Sequence, residues 1–127
     1  MSSDNRRQSF RVVYPVQARP AFVVAVEHAA VRAALLDWSE LGLRIAWPSP
    51  RDVPAVGTGL SGQIQLRTGH ELRVTGVVVR VDAQEIGVRL EGRGVPLAVL
   101  YAEQRYLRAA YPGWLASLRA MHPTGPA

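Results

Sequence analysis

Alternation of apolar and polar residues organises most of this chain. Leu60 to Arg67 sets Ile64 and Leu66 against Gln63, Gln65 and Arg67. Glu71 to Val81 continues with Leu72, Val74, Val77 and Val79, and Ile86 to Leu90 forms a last short run. A period of two predicts half-buried strands, here separated by turns at Thr68–His70 and Asp82–Glu85. Upstream, the valine-rich stretch Ala21–Glu27 and the alternating stretch Leu41–Trp47 predict two further strands. A lead-in segment from Val12 is broken by Pro15 and Pro20, and Ser49–Gly59, with two prolines and two glycines, predicts a loop. Glu27 to Asp37 points two ways. Its alanines and leucines favour helix, with Ala30, Ala33, Ala34 and Asp37 on one face, whereas the alternation of Val31, Ala33 and Leu35 suits a strand.

The period then changes. Pro96 is suited to the first position of a helix, and Leu97, Leu100, Tyr101, Gln104, Leu107, Arg108 and Tyr111 fall on one stripe. Pro112 opens a second helical stretch carrying Trp114, Leu115 and Leu118. Strands first and helices last predict a small barrel or sandwich closed by a helical lid. Tyr111 and Trp114 offer a surface for a partner or a second copy. The expected organisation is an arm at 1–11, a β core at 12–95, a helical segment at 96–121 and a tail at 122–127.

Composition narrows the function classes. The 127 residues suit one domain able to bury roughly two-thirds of its unfolded surface. Cysteine is absent, which excludes disulfides, thiolate metal sites and thiol nucleophiles. The longest apolar stretch, Ala29–Trp38, is interrupted by Arg32 and Asp37 and is too short to span a bilayer, so no membrane insertion is expected. The polar start of the chain does not read as a signal peptide, and a cytoplasmic location is expected. His28, His70 and His122 show no metal-ligand spacing, and no nucleophile elbow, phosphate-binding loop or dinucleotide fingerprint occurs. No enzyme, metal or cofactor is expected. All 15 basic residues are arginine, the formal charge is +5, and Arg6, Arg7, Arg11 and Arg19 crowd the first twenty positions. Planar guanidinium forks suit phosphate and carboxylate, so the partner should be anionic.

Two motifs sharpen this. Arg7-Gln8-Ser9-Phe10-Arg11 is an R-x-x-x-R, and Asp37-Trp38-Ser39-Glu40-Leu41-Gly42 is a D-x-S-x-x-G between strand-like runs. With the runs Val78–Val81 and Ile86–Val88, their order resembles the PilZ domain, the bacterial receptor domain for cyclic di-GMP. The resemblance spans about Arg6 to Leu107. It implies a mainly β fold, a six-stranded antiparallel β-barrel with a C-terminal α-helix, in which Val31–Asp37 is a strand.

The resemblance also implies a ligand set of Arg6, Arg7, Arg11, Asp37, Ser39 and Gly42. Arg7 and Arg11 would engage phosphate and guanine, and the arm would fold over the ligand on binding. Asp37 would accept from guanine N–H groups, Ser39 would supply a hydroxyl, Trp38 would face the core, and Gly42 would permit close backbone approach. Arg6 resembles an arginine that accompanies two stacked ligand molecules. Trp38 and Leu41 depart from the small aliphatic and the glycine usual at their positions. The implied function is to bind cyclic di-GMP and relay that state to an effector protein, as in control of motility or biofilm. Two alternatives stand beside it: a nucleotide-free adaptor for pilus, flagellar or exopolysaccharide machinery, and a small basic nucleic-acid-binding barrel. Nucleic acid is the less expected partner, because the strands offer only Phe22, Trp38 and Trp47 for base stacking. The oligomeric state stays open.

Overall fold

A computed structural model describes residues 10–26 and 29–121 of the chain. Strand β1 (Val12–Val13) leads through a 3-10 turn (Val16–Ala18) to β2 (Ala21–Val26), β3 (Ala29–Trp38) and β4 (Gly42–Ala46). Then follow β5 (Gly59–Gln65), β6 (Glu71–Asp82), β7 (Glu85–Leu90) and the helices α1 (Leu97–Ala110) and α2 (Pro112–Met121). All pairings are antiparallel. The order β3-β2-β5-β6-β7-β4, with β4 pairing back onto β3, closes a six-stranded barrel, and β1 adds to β3 outside that ring. Closure leaves the six strands of the ring no free edge.

The segment from Ala29 is a strand throughout, against the helix propensity of its alanines. Pairing on both sides, Phe22 with Ala33 and Leu35 with Ile45, decides the matter. Such tertiary pairing readily outweighs a few tenths of a kcal/mol per residue of intrinsic preference. The strand is not regular, however. Leu35 pairs with Ile45 but Asp37 pairs with Arg44, so a bulge at Leu36 shifts the alternation by one. Leu35 and Trp38 both point inward with no solvent exposure, and Asp37 is turned to the outer face. A second bulge, at Val79 on β6, does the same for Arg80.

The core runs from Phe22, Val24, Leu35 and Trp38 through Ile45, Ile64, Val78 and Ile86 to Leu100 and Leu107 of α1. The helices pack against β1, with Leu100 and Leu107 in the core and Trp114 hydrogen-bonded to Val13. Their details differ from the sequence stripe in two respects. Pro96 caps α1 in an extended conformation and Leu97 begins it. The inward face is Leu100, Glu103 and Leu107, whereas Tyr101 and Arg108 are exposed. Glu103 is a carboxylate with no solvent exposure, a position that apolar periodicity does not reveal. Among the described residues, no helix is long and apolar enough to cross a membrane.

Candidate functional site

The turn between β3 and β4 carries the D-x-S-x-x-G sequence and is held by backbone hydrogen bonds on all sides. Ser39 N–H donates to the Gly42 carbonyl at 2.8 Å, Val95 N–H to the Glu40 carbonyl at 2.8 Å, and Leu90 N–H to the Leu41 carbonyl at 2.8 Å. Gly94 makes one of these approaches possible. Its φ is +72°, and a Cβ there would run into the Glu40 carbonyl. The motif is therefore a fixed platform, positioned by the β7–α1 connection as well as by its own strands.

Asp37 is the electrostatic centre of that platform. Its side chain is 5% exposed, and two guanidiniums cover it: Arg11 Nε donates to Oδ1 at 3.0 Å, and Arg44 Nε and Nη2 lie 2.8 and 2.7 Å from Oδ2. Arg11 Nη1 also lies 3.5 Å from Ser39 Oγ, which in turn sits 3.5 Å from the Gly42 carbonyl. Arg44 reaches onward to Glu85 Oε1 at 2.7 Å. The hydrogen bond to Asp37, reinforced by the charges of Asp37 and Glu85, pushes the Arg44 guanidinium above its ordinary range.

Cross-strand register extends the site beyond the motif. Residues directly opposite one another share a face of the sheet. Asp37 pairs with Arg44, Arg44 with Gly87, and Gly87 with Arg80, so these four form one outward row across β3, β4, β7 and β6. In the next row Gly42 pairs with Arg89. Two glycines thus lie between arginines. The result is a concavity of about 450 Å³ lined by Arg11, Ser39, Gly42, Arg44, Arg80 and Arg89, with exposed Leu41 and Val79 along it. Gly42 stands close to its neighbour strand: a Cβ would come 3.3 Å from the Val88 carbonyl oxygen, which is tight.

Of the expected ligand residues, Arg11, Asp37, Ser39 and Gly42 come together here. Arg6 and Arg7 lie outside the described residues, as do His28 and His122. Trp38 faces the core as expected. Sequence reasoning passes over Arg44, Arg80 and Arg89. A signal for Arg80 does exist: a two-residue turn at Ala83–Gln84 sets Val81 opposite Ile86, and simple hairpin counting then brings Arg80 beside Gly87, before the bulge at Val79 is reached.

Beneath the platform runs a buried polar chain. Trp38 Nε1–H donates to Tyr14 Oη at 3.2 Å, and Tyr14 Oη–H donates to Glu103 Oε1 at 2.7 Å. Glu103 also accepts from the backbone N–H groups of Arg67 and Thr68, at 3.3 and 3.1 Å. Burial, then the negative charge of Glu103, raise the Tyr14 phenol well above the ordinary tyrosine range. The same lead-in segment is held from the helices at two more points. Phe10 packs on Tyr101 with ring centroids 5.0 Å apart, and Trp114 Nε1–H donates to the Val13 carbonyl at 2.9 Å.

The site is thus an arginine-ringed, glycine-floored face on the outside of a small closed barrel. The family model described as PilZ domain matches residues 5–99, three-quarters of the chain, and the chain belongs to that family. PilZ is a non-enzymatic receptor family for cyclic di-GMP. No curated protein matches the chain.

Proposed function

We propose that this protein binds cyclic di-GMP in the concavity formed by β4, β6 and β7 and relays the bound state to an effector protein. The observation that carries the reading is the meeting of Arg11, Asp37 and Ser39 at the lip of an arginine-walled, glycine-floored hollow. A dianionic ligand with two flat purines suits that surface: guanidiniums meet phosphate in bidentate fashion and stack on guanine, and glycines leave room for a ring against the strand. Arg7 and Arg6 would enter from the arm at 1–11, ahead of the barrel core at 12–95. Relay to the helical segment 96–121 would run through Phe10, Val13 and Tyr14, which already contact α1 and α2. A cytoplasmic bacterial receptor acting on motility or biofilm machinery is the setting this implies.

One observation favours the adaptor reading instead. Both oxygens of Asp37 are already engaged by Arg11 and Arg44, so the carboxylate must exchange a partner before it can accept from guanine. The nucleic-acid reading loses its stacking surface, since Phe22, Trp38 and Trp47 are all buried. Calorimetric titration with cyclic di-GMP, beside cyclic di-AMP and GTP, separates the first two. Selective binding that disappears in the Arg7→Ala, Arg11→Ala double variant is expected. Absence of heat and of any thermal shift would leave the barrel as an adaptor.

A further inference from the structure

A second concavity lies on a different stretch of the barrel wall, and its lining suggests what fills it. Ala46 pairs with Ala34, Ala34 with Ala21, and Ala21 with Gln65, so one outward row across β4, β3, β2 and β5 carries three methyl groups and an amide. Short side chains in adjacent strands leave a trough, here about 540 Å³, and Arg19, Arg32 and Arg67 stand around it. No acidic residue lines it, and among the described residues none of these three arginines is ion-paired. Arg19 Nε is buried and has no hydrogen-bond partner, although a buried donor left unmade is costly. Arg11 and Arg44, by contrast, are spent on carboxylates of this chain.

We propose that this trough docks an extended acidic segment of a partner protein. Three strand spacings of about 4.8 Å make a floor about 14 Å across, the reach of four or five extended residues. Alternate side chains of such a segment fall about 7 Å apart on one face, a spacing at which carboxylates can meet cations drawn from three separate elements. A nucleic-acid strand suits the trough less well. Trp47 is buried beneath it and the Tyr106 ring is already covered by the Arg67 guanidinium at 5.7 Å, so no open aromatic face remains for a base. The proposal is independent of the nucleotide reading, because the two concavities share only strand β4, and at different residues.

The test uses the full chain without nucleotide and a fluorescein-labelled octapeptide of alternating glutamate and alanine. Saturable binding is expected, with amide shifts in the ¹⁵N-labelled protein confined to Ala21, Arg32, Ala34, Gln65 and their neighbours. Affinity should fall about tenfold or more in Arg32→Glu with Arg67→Glu and in Arg19→Met, and stay unchanged in Arg93→Glu, an exposed turn position that lines neither concavity. Arg32 is an exposed strand residue, so Arg32→Glu alone retains a readable effect if the other variants unfold. Equal losses in Arg93→Glu, shifts spread over the whole surface, or full competition by inorganic phosphate at matched ionic strength would overturn the proposal. So would an oligo-dT decamer that binds through these arginines where the peptide does not.

Discussion

The phenol of Tyr14 donates to the carboxylate of Glu103 at 2.7 Å inside the protein, across 89 positions of sequence. Trp38, the residue after Asp37 in the D-x-S-x-x-G motif, donates to the same phenol oxygen, so one polar chain joins the motif, the segment after β1 and helix α1. Removing the phenol strands the Trp38 N–H and takes one donor from a buried carboxylate. Tyr14→Phe should therefore destabilise the fold by about 2 kcal/mol, within the range for a buried hydrogen bond to a charged group. Urea unfolding measures this directly, and a loss below about 0.5 kcal/mol would mean the chain carries little energy.

The same contact sets an alkaline limit. Burial and the Glu103 charge raise the Tyr14 pKa in the folded state above its ordinary value of 10.0. In the unfolded chain the phenol ionises near that ordinary value, so the unfolded state gains free energy above it while the folded state does not. Stability from this group is intact below about pH 10 and falls by about 1.4 kcal/mol per unit above it. The difference between wild type and Tyr14→Phe should shrink steadily from pH 9.5 to 11, since all other titrations cancel in the comparison. A difference constant across that range is the contrary result.

Asp37 is held by two cations that are themselves about 40% exposed, so its worth is less than that of a fully buried triad. Asp37→Asn should cost about 1 to 2 kcal/mol. Because the carboxylate itself is buried, most of that cost should persist in half-molar salt, which screens surface pairs away. Denaturant titration at low and high salt checks both statements. Cyclic di-GMP binding should fall in the same variant.

Much of this architecture is legible in the amino-acid sequence, and the parts that are not have physical causes. Alternation locates β4 to β7 because one face of each is wet and the other dry. It cannot settle the segment from Ala29, where alanine favours helix and only the pairing with β2 and β4 decides. Nor can it foresee the bulges at Leu36 and Val79, each of which reverses which residues face outward beyond it. Arg11, Asp37 and Ser39 are found through a motif. Arg44 and Arg89 join them only through register between strands, and Glu103 is hidden because a carboxylate on an inward helical face breaks the apolar rule.

Gly87 separates the binding reading of the concavity from a merely structural one. It sits between Arg44 and Arg80 in the outward row, and a Cβ there would meet only atoms of Arg80, at 3.5 to 4.0 Å, which are ordinary contacts. A strand interior gains from a β-branched side chain in place of glycine, so Gly87→Val should leave the melting temperature unchanged or raise it slightly. The isopropyl group would nevertheless fill the floor between the two guanidiniums, where the proposed binding mode would lay a purine flat. Calorimetry should then show cyclic di-GMP affinity reduced about tenfold or more, a loss of about 1.4 kcal/mol or greater, in a fully folded protein. Unchanged affinity would move the ligand off this floor and toward the lip formed by Arg11 and Ser39. In the control Arg73→Gln, an exposed β6 position that does not line the concavity, both stability and affinity should stay at wild-type values.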